Sequence, residues 1–596
     1  MQLSYHYTHT ETVVTTGFFS CEPDAAYSLK DLCEALEASP LDSFLHAVLF
    51  QRLRKAACHE LLQLFSEVYD RAADVFRKPA LASVLWECAS HEASLGELLR
   101  AFPPDAAERL SGMSPLLSLQ RSAVNSNAEQ LWWQKLYFEN INWLRPLPSS
   151  EEAWKHALIS REAVSALNQE LHAPESITAL YARFTGRREE QESDASVSLQ
   201  ELFRRASDSL LEAGLLAGCE MRHEASLAPV ALLREWQLDL QVRQKRNSYS
   251  LTGKVTAYGR GLSLAQARVS CSMEMVERAS AYVSLTEKGQ ETWVALRKKP
   301  LPLVEATFSE LVQRGQNALD PALLGSGQNL SELRLNWVAA SDSQGKEVLV
   351  PAQAVFLFFN ADEQEYLSAG STGLASGTSL AQAKLNALLE ILERDALATV
   401  PFERERCFLA KSRDPRLQAL LDDYAARGIR VQFQDMTHEF GLPVLSAFVR
   451  SQDGRCIRAQ ACKLSGKLAA LAALTETPWP YSITQPAPYG QATGPGLAGL
   501  SERYLEDLPD YSLPAWQALQ FVEARLLSFG LRPLYVDLTR ADLDFPVVRA
   551  MVPGLASNDD GDSQSNPSRR FQARVLGMAV HQDPACATWQ AKTDRI

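Results

Sequence analysis

The chain has 596 residues, 46% of them hydrophobic and 22% charged, a balance that fits two to four globular domains rather than a fibrous or disordered polymer. A formal net charge of −13 argues against nucleic acid or an anionic membrane as the main partner. Ten cysteines without a C-x-x-C pair disfavour a disulfide framework and a four-cysteine zinc site. The opening "MQLSYHYTHTETVVTTGFF" lacks the basic start and apolar core of a secretion signal. No stretch approaches the roughly 18 apolar residues of a membrane span; "VLVPAQAVFLFF" is short and interrupted by Pro351 and Gln353. A cytoplasmic protein is the expectation.

From about residue 25 to 225 the text is mostly helical, with apolar residues at three- and four-residue spacing in "SLKDLCEALEASPLDSFLHAVLFQRLRKAACHELLQLFSEVYDRAADVF". "ALNQELHAPESITALYARFTG", a charged linker and "LQELFRRASDSLLEAGLLAG" form either a small winged-helix-like module near 160–217 or two helices of a larger bundle. Near 235 the grammar changes. "LREWQLDLQVRQKRNSYSLTGKVTAYGRG" alternates as strands do, and "VLVPAQAVFLFF", "IRVQFQDM", "LPVLSAFVR" and "LRPLYVDLT" also read as strands. "SLAQARVSCSMEMVERASAYVSL", "SLAQAKLNALLEILERDALA" and "KLAALAALTE" read as helices, and 485–500 and 557–568 as exposed loops. The expectation is a mainly helical domain over 1–228, followed by an α+β domain over 229–596.

Two of those helices repeat one phrase at a constant offset, so that Ser263, Glu274, Glu277 and Arg278 correspond to Ser379, Glu390, Glu393 and Arg394. Residues three or four apart share a helix face. Ser270, Glu274 and Glu277 therefore form one stripe, and Asn386, Glu390 and Glu393 the equivalent stripe. The opposite faces are apolar: Val269, Met273 and Val276 in one, Leu385, Leu388, Leu389 and Leu392 in the other. A single E-x-x-E-R is most often a solvated face with local ion pairs; two in register reverse that reading. Facing copies would converge four carboxylates, a hard-oxygen set suited to Mg2+ with phosphate oxygens completing the shell. Arg278 and Arg394 would reach the same phosphates or balance charge. G-x-x-x-x-G-K-[ST] and G-x-G-x-x-G are both absent.

Here the sequence resembles the YcaO family of ATP-dependent enzymes that activate peptide backbone amides. The first copy carries that family's S-x-x-x-E-x-x-E-R motif after "GRGLS", and "STGLASG" leads into the E-x-x-E-R-D of the second. "NWVAASDSQGKEVLVPAQ" and "VDLTRADLDFPVVRAMVPGL" add to the likeness, which runs in order over roughly 235–580. The resemblance implies a YcaO-like α+β fold with ATP between the repeats. It implies Glu274, Glu277 and Glu390 as magnesium ligands, Ser270 and Asn386 as polar companions, and Arg549 as a phosphate contact, helped by Arg404 or Arg406. The implied chemistry is phosphorylation of an amide oxygen, giving thiazoline or oxazoline where Cys, Ser or Thr of a ribosomally made precursor peptide attacks. A thioamide from external sulfide is an alternative product, and a non-catalytic peptide- or partner-binding scaffold an alternative role.

The chain departs from the family pattern at three places. It ends "HQDPACATWQAKTDRI" where azoline formers often carry P-x-P-x-P; Glu476 is followed by Thr477, Pro478 and Trp479 rather than by E-x-x-Q-x-R; and Ala383 stands where a nucleotide-contacting acid is often found. An E1-like or leader-binding partner that completes the site, a dehydrogenase, and a homodimer are all compatible with the resemblance. Elsewhere, Cys58-His59-Glu60 and His91 read as ordinary helix residues rather than a metal site, His438 as a loop residue, and "LWWQKLYFENINWL" as core or partner interface.

Overall fold

In a computed structural model of the full chain, residues 2–10, 18–23, 27–115, 128–148, 150–157, 175–186, 197–324, 330–367, 369–450, 456–479 and 499–556 are described. The loops at 485–498 and 557–568 and the sequence from 569 to 596 lie outside these residues, as do parts of the expected module at 160–217.

The chain opens with strands β1 (Leu3–Thr10) and β2 (Phe18–Pro23), then helices α1 (Leu29–Ala38), α2 (Ser43–Leu53), α3 (Cys58–Val68) and α4 (Pro79–His91). Capping explains where these helices start. Ser28 accepts from the Asp31 amide while Asp31 reaches back to Ser28, and Asp42 accepts from the Leu45 amide at 3.1 Å. Helix α5 (Leu199–Glu212) leads into β3 (Leu216–Arg222). The alternating sequence after it becomes β4 (Val230–Gln244) and β5 (Asn247–Gly261), an antiparallel hairpin paired along its whole length. Its two-residue turn places Lys245 at φ 50°.

The first acidic helix, α6 (Leu264–Ala281), follows at once. Next come β6 (Leu335–Asp342), β7 (Leu374–Ser376), the second acidic helix α7 (Leu380–Thr399), α8 (Gly466–Glu476), α9 (Ala515–Leu527), β8 (Leu534–Asp537) and β9 (Val547–Met551). One large sheet runs β7-β9-β8-β6, through three short strands between 285 and 306, to β4-β5-β1-β2, with β3 pairing β4. Helix α6 packs on β4 and β5 and also touches β7 and β9, at the far end of that order, so the sheet curls around it. A second sheet of Cys407–Lys411, Gln432–Asp435, Val444–Arg450, Cys456–Cys462 and Ser501–Tyr504 carries α8 on one face.

The region before residue 228 is mainly helical, yet its first strands belong to the large sheet: β1 runs parallel to β5, with Tyr7 opposite Gly253. Helices α1–α4 share one apolar core with β1, β4, β5 and α6. Asp42 bridges the parts, accepting from Tyr5 Oη at 2.6 Å and from Asn360 Nδ2 at 3.0 Å.

Two further differences from the sequence reading have plain causes. "VLVPAQAVFLFF" is strand only as Glu347–Pro351 and then turns through Ala352–Ala354, because the proline ends the ladder. His438 does lie in a loop, but its ring is buried rather than at the surface, 3.6 Å from buried Asp395. Trp133 is buried and donates from Nε1 to the His156 carbonyl at 2.8 Å, a core role for the aromatic stretch. Leu131, Phe138 and Trp143 of the same stretch are exposed. Among the described residues no helix is long and apolar enough to cross a membrane.

Candidate nucleotide and metal site

The repeated phrase first fixes where its two helices begin. Ser263 accepts from the Gln266 amide at 3.3 Å, and Gln266 Oε1 accepts from the Leu262 amide at 3.0 Å. Ser379 and Gln382 repeat this at 3.2 Å and 2.7 Å, the second bond coming from the Thr378 amide. The half of the phrase without carboxylates is thus a matched pair of caps. Glycines then let each helix lie close on its neighbours. A Cβ at Gly259 would stand 2.0 Å from the Ala267 carbonyl oxygen, and one at Gly377 2.5 Å from the Ala383 amide nitrogen. Ala383 is completely buried beneath that turn, which leaves no room for an acid.

The acidic halves are equally alike. Arg278 Nη2 lies 3.7 Å from Glu274 and its Nε 3.8 Å from Glu277; Arg394 stands 3.6 Å from Glu390 and 3.7 Å from Glu393 through the same atoms. Strand β7 is wedged between the helices. Ser376 Oγ donates to the Met273 carbonyl at 3.1 Å, and Asn386 Nδ2 to the Ser376 carbonyl at 3.1 Å. Glu274 accepts from the Tyr258 amide at 2.8 Å.

The charges interlock across this wedge. Burial pushes the Glu277 carboxyl up to about 8; Arg278 opposes the rise, and the negative charges of Glu390 and Glu274 add to it. Burial likewise pushes Glu393 up to about 8, against Arg394 and with help from Glu476 and Glu390. Burial works against the Arg278 charge, but Glu277, Glu274 and Glu390 outweigh it and hold the guanidinium above its ordinary value. Arg549 is pulled down to about 10 by burial, with Glu390 and Glu277 resisting and Arg278 adding to the fall. Glu390 therefore belongs to both carboxylate groups.

Arg549 is fixed by β9 and by two carbonyls, donating from Nε to Val355 at 2.8 Å and from Nη1 to Thr372 at 2.6 Å. Its Nη2 is buried and finds no hydrogen-bond partner among the described residues. Together Glu274, Glu277 and Glu390 around Arg278 and Arg549 offer hard oxygens to a divalent cation and a waiting N–H to an anion, which fits magnesium with phosphate. Among the described residues no three His, Cys, Asp or Glu side chains are grouped closely enough to hold a metal ion by themselves, so the cation's shell would draw on phosphate oxygens and water.

The remaining expected residues fall as follows. Ser270 is exposed one turn before Glu274. Arg404 is exposed on the short turn Arg404–Arg406, whereas Arg406 is engaged with the Thr437 carbonyl and, at 3.8 Å, with Asp435. Glu393 faces the second sheet, accepting from the Cys462 amide at 3.3 Å, with Lys463 and Glu476 close enough to bias it. Lys463 was not signalled by any motif; its position between a strand and a helix cap was its only sequence mark. Arg260, between the two glycines before the first phrase, was also passed over. It packs over the Tyr258 ring at 5.6 Å, and its buried Nε has no partner among the described residues.

Residues 258–556, half of the chain, match the family described as YcaO cyclodehydratase, ATP- and Mg2+-binding. The chain belongs to the YcaO family. An uncharacterized protein of Methanothermobacter thermautotrophicus is 28% identical over 340 residues, covering 51% of this chain and 82% of that one. An uncharacterized protein in the tfuA 3′ region of Rhizobium leguminosarum bv. trifolii is 24% identical over 210 residues, 34% of this chain and 46% of its own. Among solved structures, a heterocyclase in complex with substrate and cofactor aligns at 18% identity and TM-score 0.45, covering 59% of this chain and 52% of that chain. The YcaO of Methanopyrus kandleri bound with AMPPCP and Mg2+ aligns at 21% identity and TM-score 0.43, covering 62% and 94% respectively. The chain thus spans about half the length of the rhizobial relative and of the heterocyclase.

Proposed function

We propose that this YcaO protein uses ATP and magnesium to activate backbone amides of a ribosomally made precursor peptide, closing Cys, Ser or Thr side chains into thiazolines or oxazolines. One observation carries the reading. Two equivalent helices hold Glu277 and Glu393 mostly out of water, which pushes both carboxyls up to about 8, and an unpartnered Arg549 N–H stands in the field of Glu277 and Glu390. That arrangement is costly in the empty protein, and a divalent cation with a polyanion relieves it.

In this reading Glu274, Glu277 and Glu390 hold magnesium, with Glu393 completing the second group. Arg549, Arg278 and Arg394 take phosphate oxygens, Ser270 and Asn386 line the approach, and Arg404 closes on the nucleotide from its exposed turn. Bound magnesium–ATP supplies the phosphoryl group that turns the amide oxygen into a phosphate leaving group. The protein itself supplies position and fixed charge rather than a covalent nucleophile. The helical region before about residue 228 recognises substrate or a partner. Within it the stretch near 160–217, which includes α5, is the suggested leader-peptide or partner-binding element, and Phe203 of α5 lies under Arg268 of α6.

The test is the full chain with magnesium, ATP and each short Cys/Ser/Gly-rich peptide that a search of the neighbouring genes turns up. Peptide-dependent phosphate release with a loss of about 18 Da per ring supports azoline formation, whereas a gain of about 16 Da assigns a thioamide, both following from activation of one amide oxygen. Turnover unchanged in Glu274→Ala or Glu390→Ala refutes the site. Peptide binding without any turnover assigns a scaffold instead.

A further inference from the structure

Arg549 takes its direction from two carbonyls, Val355 at 2.8 Å and Thr372 at 2.6 Å, which stand near opposite ends of the stretch between Pro351 and β7. The Thr372 end is held by β9, the strand that carries Arg549. There the Ala550 amide donates to the Gly373 carbonyl at 2.7 Å, and a Cβ on Gly373 would stand 2.4 Å from the Ala550 carbonyl oxygen. Val355 instead rides on the turn Ala352–Ala354, donating its amide to the Ala352 carbonyl at 2.9 Å. Gln353 of that turn is buried, and every hydrogen-bonding position of its carboxamide is used. Its Nε2 donates to Glu363 Oε1 at 2.7 Å and to the Gln364 carbonyl at 2.6 Å; its Oε1 accepts from the Tyr366 and Leu367 amides at 2.9 and 3.0 Å. Glu363 is buried as well. Its other oxygen accepts from the Asn336 backbone amide and, at 2.6 Å, from the Asn336 side chain. The Val355 end is thereby tied back on β6, which contains Asn336.

We propose that Glu363 and Gln353 are positioning residues for Arg549: they hold the Val355 carbonyl in place, and with it the direction of the buried Nη2 that has no partner among the described residues. A guanidinium is planar, so bonds from Nε and Nη1 to two fixed acceptors set where the third nitrogen points. Three N–H donors converge on Glu363, a set that a carboxylate accepts in full, whereas a carboxamide would turn one N–H against another. The inference rests on the reading of Arg549 as a phosphate contact.

The experiment is a double-mutant cycle on the full chain, read as the dissociation constant of a non-hydrolysable ATP analogue with magnesium, and as KM for ATP against kcat. Glu363→Gln and Gln353→Met each break the tie behind Val355 while leaving Arg549 itself intact, and urea midpoints establish that the variants fold. Each should weaken analogue binding and raise KM about five-fold in the parent, with a smaller change in kcat, but less than about two-fold in an Arg549→Lys background, where no planar fork remains to be aimed. Equal weakening in both backgrounds overturns the positioning role, since a loosened fold acts without regard to residue 549. Glu363→Asp, which keeps the charge and withdraws it by one carbon, takes the place of any variant that does not fold, and its cycle is read by the same criterion. Analogue binding unaltered by Arg549→Lys alone overturns the reading of Arg549 as a phosphate contact, and that outcome is distinct from failure of the Glu363 and Gln353 cycles.

Discussion

Replacing Glu277 by glutamine should make the protein more stable and inactive at once. In the folded chain burial moves this carboxyl from its ordinary 4.5 to about 8. An acid whose folded pKa is raised binds more protons in the folded state between those two values, so its contribution to stability is full below the lower one and falls as pH rises toward the upper. At pH 7 the loss from such a shift is about 3 kcal/mol, the difference between ionising freely when unfolded and staying mostly protonated when folded. Glutamine keeps the shape and the hydrogen-bonding capacity and never ionises, so it escapes that loss. The assay is a series of urea midpoints between pH 4.5 and 8 for parent and Glu277→Gln. Equal stability at the acid end and a variant advantage growing to about 3 kcal/mol near neutrality is the expected pattern. Magnesium-dependent nucleotide turnover should drop at least about 100-fold in the same variant. A variant less stable at pH 7, or an advantage that does not change with pH, refutes the description of a buried, protonated carboxyl.

Three further outcomes follow from the same geometry. Magnesium–ATP binding at pH 7 should release about two protons as Glu277 and Glu393 ionise, with affinity rising up to pH 8; calorimetry in buffers of different ionisation heat reads this directly, and zero release contradicts it. Glu390→Ala should cost at least as much activity as Glu277→Gln, because the Glu390 charge acts on both Glu277 and Glu393; steady-state ATP turnover of the two variants decides. Gly259→Ala should destabilise the fold by about 3 kcal/mol, since its new carbon meets backbone rather than a movable side chain, and a chemical unfolding curve measures the loss.

Local features of this site were legible in the sequence: the caps at Ser263 and Ser379, the shared helix stripes, and the strand alternation that holds from Trp236 to Gln244 and from Asn247 to Gly261. What escaped was settled by partners far along the chain. Leu3, Tyr5 and Tyr7 alternate inward as a strand should, but nothing in eight residues says which sheet receives them. The loop position of His438 was legible but the burial of its ring was not, because Asp395, its neighbour in space, precedes it by two strands and a helix. Lys463 and Glu476 bias Glu393 only because the second sheet lays its edge strand Cys456–Cys462 against α7, with Lys463 directly after that strand.

The parallel seam between β1 and β5 also sets a timetable. During synthesis Tyr7 leaves the ribosome about 240 residues ahead of Gly253, a wait of about 10–50 s at ordinary translation speeds. For that interval β1 has only β2 beside it, and the parallel seam cannot form. Shielding by a chaperone, or temporary shelter among the early helices, would decide how much of the newly made enzyme ever becomes competent.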